Sequence, residues 1–461
     1  MKRGVVIIIG VVLLVIVGIV AIVIGRSGSS TKSTTTTLKV WSPYDESKAW
    51  DALTAKYTTD NPNVKIEFKY VDATDAKDYE AKVVNAIAAG NGPDIWLIRN
   101  DWLPKHQTKL VPSTSYVKWS TSKSVTETQA INNLFGQNLA AQNSLDGQLY
   151  GYPISVDSLA LYINQDVIRA TENDLGNQNR SADSDTVGTT PTTWADVAKI
   201  SQLITKKSGG TITRSGIALG TTGNTYAATD ILSAMLAQYS GKLYTDDHKD
   251  VAINLANVTA GVSSFPGQQA LGLFTSFATP GNANYTWNSS LGDPVQAFAS
   301  NKLAMIIGYS TLANQIKAAN KDLTDVKVVA LPQVADLDLG GDPVDLAAYY
   351  TAVVPKTSAN PKLAWQLLNS LGGSDLNAYA KESGRPVLSQ TDLTNPNKKP
   401  SGNFGETTLF ADQVAWAANL YQPEWQGVAA TLQDSINQVL QGQSISTAID
   451  NAAAGLKKLL P

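Results

Sequence analysis

Between residues 38 and 98 strand and helix patterns alternate, and that succession restricts the fold more than any other feature of the chain. Residues 38–41 read as a short strand. Trp50, Leu53 and Tyr57 then recur at the helical period, and Asn61-Pro62 stops the helix. Val64, Ile66, Phe68 and Tyr70 alternate with charged residues across a half-buried strand. Tyr79, Val83, Ala86 and Ile87 share one face of a second helix that ends at Gly90-Asn91-Gly92-Pro93, and an apolar run, 95–98, follows Asp94. Strands joined by covering helices are parallel, because a parallel return needs a long crossover. The pattern therefore predicts an α/β lobe, with any ligand beyond the carboxyl ends of its strands.

That rule selects two loops. Tyr44 and Asp45 follow the first strand; Arg99, Asp101 and Trp102 follow the third. Each loop sets a carboxylate beside an aromatic, a pairing suited to sugars: carboxylates accept hydroxyl hydrogen bonds and aromatic faces stack on the apolar side of a ring. The competing role for Asp45 and Asp101 is to cap the helices that follow.

Further along, residues 148–162 are apolar, strand-like and interrupted by Pro153, as a crossing between lobes would be. Residues 172–191 are polar and turn-rich and read as a surface excursion. Pro191-Thr192-Thr193-Trp194 opens a helix carrying Val197, Ile200 and Leu203 on one face. Phe298 with 303–307 restores a helix-then-strand pattern, 347–354 reads as another buried strand, and the C-terminal third is helical.

At 461 residues, 43% hydrophobic and 16% charged, the chain can build two or three packed domains. With 36 basic against 39 acidic side chains there is no positive excess to neutralise phosphates, so a nucleic acid partner is not expected. The absence of cysteine removes disulfides, thiolate metal sites, Cys nucleophiles and a lipid-modified Cys anchor. An anchor must then be peptide. Lys2 and Arg3 precede an unbroken apolar run at 5–24 with no small-residue cleavage site behind it. A bilayer core takes about 20 apolar residues as helix, so residues 1–26 are expected to be a retained transmembrane anchor. The basic pair places the N-terminus in the cytoplasm and the binding domain outside the cell. Residues 27–37, SGSSTKSTTTT, form a flexible linker.

His106 and His248 have no partner pattern for zinc or a catalytic triad, and are expected on the solvated surface. The stretch 336–342 suggests a calcium loop but fails the EF-hand template at Gly340 and Ala347. No metal and no cofactor is expected.

The ordered markers along the chain carry a resemblance. They are Ala88-Ala89-Gly90-Asn91-Gly92-Pro93-Asp94-Ile95, then Asp146-Gly147-Gln148-Leu149-Tyr150-Gly151-Tyr152-Pro153 leading to Leu161-Tyr162-Ile163-Asn164, then Leu303-Ala304-Met305-Ile306-Ile307-Gly308, and Val353-Val354-Pro355-Lys356 before Ala364-Trp365. With these the chain resembles the bacterial extracellular solute-binding proteins of the maltose-binding type, the capture subunits of ABC sugar importers. The resemblance implies a two-lobe periplasmic-binding-protein-like fold with three interlobe crossings, expected near 154–157, 308–311 and 348–354. It implies a first lobe of 38–155 and 309–350 and a second of 156–308 and 351–461. A carbohydrate ligand, ABC permease subunits as partners, no enzymatic activity and a monomeric binder are also implied.

Carried over residue by residue, Asp45, Asp101 and Asp157 match acidic sugar contacts, and Trp425 matches a stacking tryptophan. Tyr309 and Ser310 fall where a second stacking tryptophan usually follows a glycine. Ile98 and Arg99 stand where the maltose-binding group carries an aromatic, a departure that weakens any maltodextrin assignment. From their chemistry alone, Tyr226, Trp287, Tyr349 and Tyr350 are further candidates for the cleft wall. Three rival readings stay open: an anion binder gripping its ligand with Arg99 or Arg385, a surface glycoside hydrolase using paired carboxylates, and an adhesion or sensor domain.

Overall fold

The computed structural model describes residues 35–259, 261–334, 343–388, 401–418 and 420–460. The apolar run at 5–24, most of the linker and the 336–342 stretch lie outside the described residues. Among the described residues no helix is long and apolar enough to cross a membrane.

Two sheets organise the chain. The first has the order Val64–Tyr70, Thr36–Ser42, Ile95–Arg99, Tyr350–Val353, Gly151–Pro153. Its first three strands are parallel, as the early pattern predicts; Tyr350–Val353 joins them antiparallel, and Gly151–Pro153 pairs antiparallel with that strand. In the central strand Ile95 and Leu97 enter one hydrophobic cluster with Trp50, Leu53 and Trp365, while Trp96 and Ile98 enter another with Tyr79 and Val83. The period of two in a strand buried on both faces thus feeds two cores at once.

The second sheet has the order Ser401–Asn403, Val326–Ala330, Ala160–Asn164, Leu303–Gly308, Thr211–Ile217, Lys206–Ser208. Helices again cover both faces, with Leu161 and Ile163 in one cluster and Ala160 and Tyr162 in the other. Helix Trp194–Ile204 starts with a capping box between Thr193 and Asp196. The segment read as a polar excursion, 172–191, is instead largely helical, in Gln165–Asn177 and Ser181–Gly188. Val167, Ile168, Leu175 and Val187 are buried there, and sparse apolar positions are sufficient to dock a helix.

The division into lobes differs from the expected one. The chain does not cross at 308–311: strand Leu303–Gly308 leads through helix Leu312–Ala319 to Val326–Ala330, which pairs with Ala160–Asn164 in the same sheet. Residues 309–330 therefore belong to the second lobe. Strand Tyr350–Val353 pairs with Ile95–Arg99, and helix Gly373–Ser383 packs on Ser47–Asp60, so 350–383 belong to the first lobe. From Trp425 onward the helices contribute Val428, Leu432, Ile436 and Leu456 to the second lobe's core. A strand apolar on both faces carries no sign of which sheet it joins, so the local pattern could not correct the bounds that the resemblance implied.

The passages between sheets lie against one another. Ala348 N donates to Asp157 O at 2.9 Å, Ser158 bridges Ala347, and Val156 N donates to Pro386 O at 3.0 Å. At Gly216 the second sheet touches helix Trp194–Ile204 so closely that a Cβ would stand 2.3 Å from Ser201 Cα. Gly216→Ala is therefore expected to push helix from strand and cost about 1–3 kcal/mol, read as a lowered denaturation midpoint; an unchanged midpoint would show that the helix shifts freely.

Candidate ligand-binding cleft

The carboxyl ends of the parallel strands in both sheets face the gap between the lobes. Two adjacent chambers lie there, of about 280 Å³ and about 140 Å³, and both include Arg99, Tyr309 and Ala348 in their walls.

The smaller chamber is lined by Tyr44, Asp157, Tyr350 and Arg385. Tyr44 leaves the first strand with its amide on Ser42 Oγ at 3.1 Å. The Arg385 guanidinium sits 3.5 Å from the Tyr44 ring centroid, a cation–π contact, and its Nε pairs with Glu46. Glu46 also accepts from Tyr379 OH at 2.5 Å. Tyr350, paired in register with Arg99, meets Tyr44 edge-on at 5.2 Å.

Asp157 sits in the first passage between lobes. It accepts from Ser310 N at 3.1 Å, Ser310 Oγ at 2.6 Å and Ser158 N at 3.0 Å. Burial pushes its carboxyl up to about 7, against the opposing pull of those hydrogen bonds and of Arg385.

The larger chamber holds Arg99, Asn100, Asp101, Asp146, Asp230, His248 and Tyr421 in its wall. Arg99 makes a bidentate pair with Asp101, Nε to Oδ1 at 3.0 Å and Nη2 to Oδ2 at 2.9 Å. Asp230, in the first turn of helix Ala228–Gln238, accepts from Tyr309 OH at 2.8 Å. Burial raises its carboxyl above the usual range, with Arg99 and Tyr309 working the other way.

Tyr44, Arg99, Asp101, Asp157, Tyr309, Tyr349, Tyr350 and Arg385 of the sequence candidates line the chambers. Tyr349 is mostly spent internally, its hydroxyl bonded to Asn143 and Gln142. Ser310 stands behind Asp157 rather than in a wall.

Several expectations need correction. Asp45 is exposed and lines neither chamber, and it does not cap the helix Ser47–Asp60, whose N-cap is Glu46. Asp101 is committed to Arg99 rather than to a cap. Trp102 is fully buried beneath the sheet end, and Trp287 is a core residue whose indole N–H bonds to Asn224 O at 3.1 Å. Tyr226 packs over Gly308 and accepts from Gln315, away from the chambers. Trp425 lines neither wall: it stacks on Trp102 at 5.4 Å and donates to Glu80 at 3.2 Å, joining its helix to the first lobe. Large aromatics at strand ends were drawn under the sheets by the area they bury.

His106 is buried rather than solvated, with Nε2 2.7 Å from Glu80 Oε1. His248 is exposed as expected, yet it lines the larger chamber. Asp146, Asp230, His248 and Tyr421 are among the wall residues that sequence reasoning missed. Only Asp230, an acid in the first turn of a helix after a strand, had a local signal. Among the described residues no three His, Asp or Glu side chains gather as a metal site.

The two lobes closing on a polar, aromatic-walled gap define a two-domain ligand-binding protein. Residues 41–377 match the family described as bacterial extracellular solute-binding protein, and the chain belongs to that family. No curated protein sequence matches it. Among solved structures it is similar to the cyclic α-maltosyl-1,6-maltose binding protein of Arthrobacter globiformis, at 18% identity and TM-score 0.69, over 92% of this chain and 99% of that one. It is also similar to the sugar-binding protein MalE of Xanthomonas citri, at 19% and 0.68 over 92% and 97%. A third is an ABC transporter solute-binding protein of Thermotoga lettingae bound with α-D-tagatose, at 20% and 0.61 over 92% and 100%. These likenesses share the maltose-binding-type fold.

Because the Asp157 carboxyl ionises near 7 in the folded protein and near 3.8 when exposed, the folded state takes up a proton between those values. Its contribution to stability is present below about 3.8 and lost as pH rises toward 7. Asp157→Asn removes this dependence, so the stability of the variant relative to the unsubstituted protein should rise between pH 4 and 7.5 in denaturant titrations; a flat difference would contradict it.

Proposed function

We propose that this chain captures an uncharged sugar or oligosaccharide between its lobes and delivers it to the permease subunits of an ABC-type importer. The observation that carries the reading is how the cleft spends its charges. Among the described residues both arginines in its walls are paired with carboxylates of their own lobe, Arg99 with Asp101 and Arg385 with Glu46. An anionic ligand would have to compete with those pairs. The carboxylates of Asp157 and Asp230, by contrast, receive only hydroxyl and amide donors, leaving oxygen lone pairs that suit sugar hydroxyls. The sugars named with the Arthrobacter and Thermotoga relatives support the same ligand class.

Binding without turnover fits the same facts, since each cleft carboxylate is already held by a neighbouring group. Hinge rotation at passages near 154–159, 343–349 and Pro386 closes the lobes on the ligand in this reading.

The test is a thermal-shift panel on residues 35–461 with glucose, mannose, galactose, their oligosaccharides of two to four units, glycerol phosphate and glucuronate. A saccharide at 100 times its Kd should stabilise the protein by about 2.7 kcal/mol, and the anions should not; a shift with the anions alone would overturn the reading. Residues 5–24 are proposed as a retained anchor that keeps the binding domain outside the cell, beside its permease, with the N-terminus in the cytoplasm. Mass spectrometry of the membrane fraction should recover peptides from that run; a mature N-terminus near Ser27 would refute it.

A further inference from the structure

The larger chamber contains an aromatic feature that the charge pattern does not explain. His248 lies flat on Tyr421, with ring centroids 3.8 Å apart and planes 5° from parallel, and both side chains line that chamber. Tyr421 is braced edge-on by buried Tyr244 at 5.7 Å, whose hydroxyl donates to Leu456 O at 3.2 Å. The stack therefore rests on the second lobe's core.

The backbone at His248 is held in an uncommon state to make this contact. His248 has φ of 56°, in the left-handed region that a side chain with a Cβ adopts at a cost. The surrounding turn is tied shut. His248 N donates to Thr245 O at 2.9 Å, Thr245 N to Asp250 O at 2.9 Å, and Thr245 Oγ1 to Asp247 Oδ1 at 2.7 Å. A strained residue, fixed by a rigid turn at the edge of a cavity, is a pattern associated with a working site. One face of the imidazole covers Tyr421, and His248 as a whole is exposed at the chamber wall.

The acceptors Asp101, Asp146 and Asp230 line the same chamber. A flat aromatic surface beside a set of hydroxyl acceptors reproduces the two contacts a pyranose ring needs. The smaller chamber, which shares Arg99 and Tyr309 with the larger, has an equivalent set of its own in Tyr44, Tyr350 and Asp157.

We infer that the His248–Tyr421 stack is the platform of a second sugar subsite, so that the cleft takes an oligosaccharide of at least two rings, one in each chamber. The inference rests on the sugar-binding reading above and adds ligand length and the residues that set it. Binding energy divides accordingly: the smaller chamber serves any ring, and the platform contributes only when a second ring reaches it.

Isothermal titration with monosaccharides and two- to four-unit oligosaccharides of glucose, mannose and galactose tests this. The oligosaccharides of the sugar that binds should be at least about tenfold tighter than its monosaccharide, a factor typical of one stacking contact. His248→Gly suits the left-handed backbone, so it should leave the melting temperature equal or higher. It should nevertheless weaken tetrasaccharide binding by about tenfold with monosaccharide affinity unchanged. Tyr421→Leu should weaken the tetrasaccharide in the same way. If a saccharide binds but length makes no difference, or if His248→Gly binds the tetrasaccharide like the unsubstituted protein, the platform is refuted and the sugar reading stands. Failure of every saccharide to bind overturns the sugar reading itself, and the platform with it.

Discussion

The cleft depends on Asp157. Its backbone carbonyl receives Ala348 N, and its carboxylate receives the amide and hydroxyl of Ser310 together with Ser158 N. One residue thereby fastens the first passage between lobes to the second and to the end of strand Leu303–Gly308. Val156 N beside it donates to the carbonyl oxygen of Pro386, the neighbour of Arg385. Three distant pieces of chain converge within a few residues, and the groups they carry into the cleft, Tyr309, Tyr350 and Arg385, inherit their positions from that junction. The same burial that makes the junction compact disfavours the carboxylate's charge, so the cleft holds an ionisable group close to neutral pH.

Around this junction the charged groups are arranged in pairs within a lobe rather than across the gap. Arg99 is held by Asp101 two residues away, and Arg385 by Glu46. Pairing within a lobe lets the lobes separate without stranding an unpaired charge, which would be costly in a partly desolvated site. Contacts across the gap add one ion pair, Lys105 with Glu424 at 3.0 Å, to contacts of another kind. Trp425 stacks on Trp102 while Glu80 gathers Trp425, Gln426, Lys105 and His106. This cluster joins the start of helix Trp425–Leu440 to the first lobe, and it occupies the tryptophan that the resemblance assigned to sugar stacking. His248 on Tyr421 forms an aromatic stack in the wall of the larger chamber.

Much of the first lobe was legible in the chain. The strand read at 64–70 is Val64–Tyr70 in the fold, the helix through Trp50 and Tyr57 is Ser47–Asp60, and the apolar run at 95–98 is the central strand Ile95–Arg99. The rule that ligands lie beyond strand ends selected Tyr44, Arg99 and Asp101, which stand in the chamber walls. Periodicity is a local property of the backbone, so a short window of sequence reveals it. The polar stretch at 172–191 misled because a helix needs only a few buried positions per turn to dock.

What the sequence by itself determined is the class of fold, the parallel core of the first lobe, and the carboxylates and tyrosines that stand at its strand ends. Only the tertiary structure decided which sheet received 326–330 and 350–353, that Trp102 and Trp287 turn into cores while Tyr309 and Tyr350 turn toward the gap, and that Asp230, His248 and Tyr421 share a chamber. The reason is physical. Local patterns state that a residue must be buried or that a segment must extend, but the surface that buries it is chosen by packing among segments hundreds of residues apart. A cleft wall is made of the residues which that packing leaves uncovered.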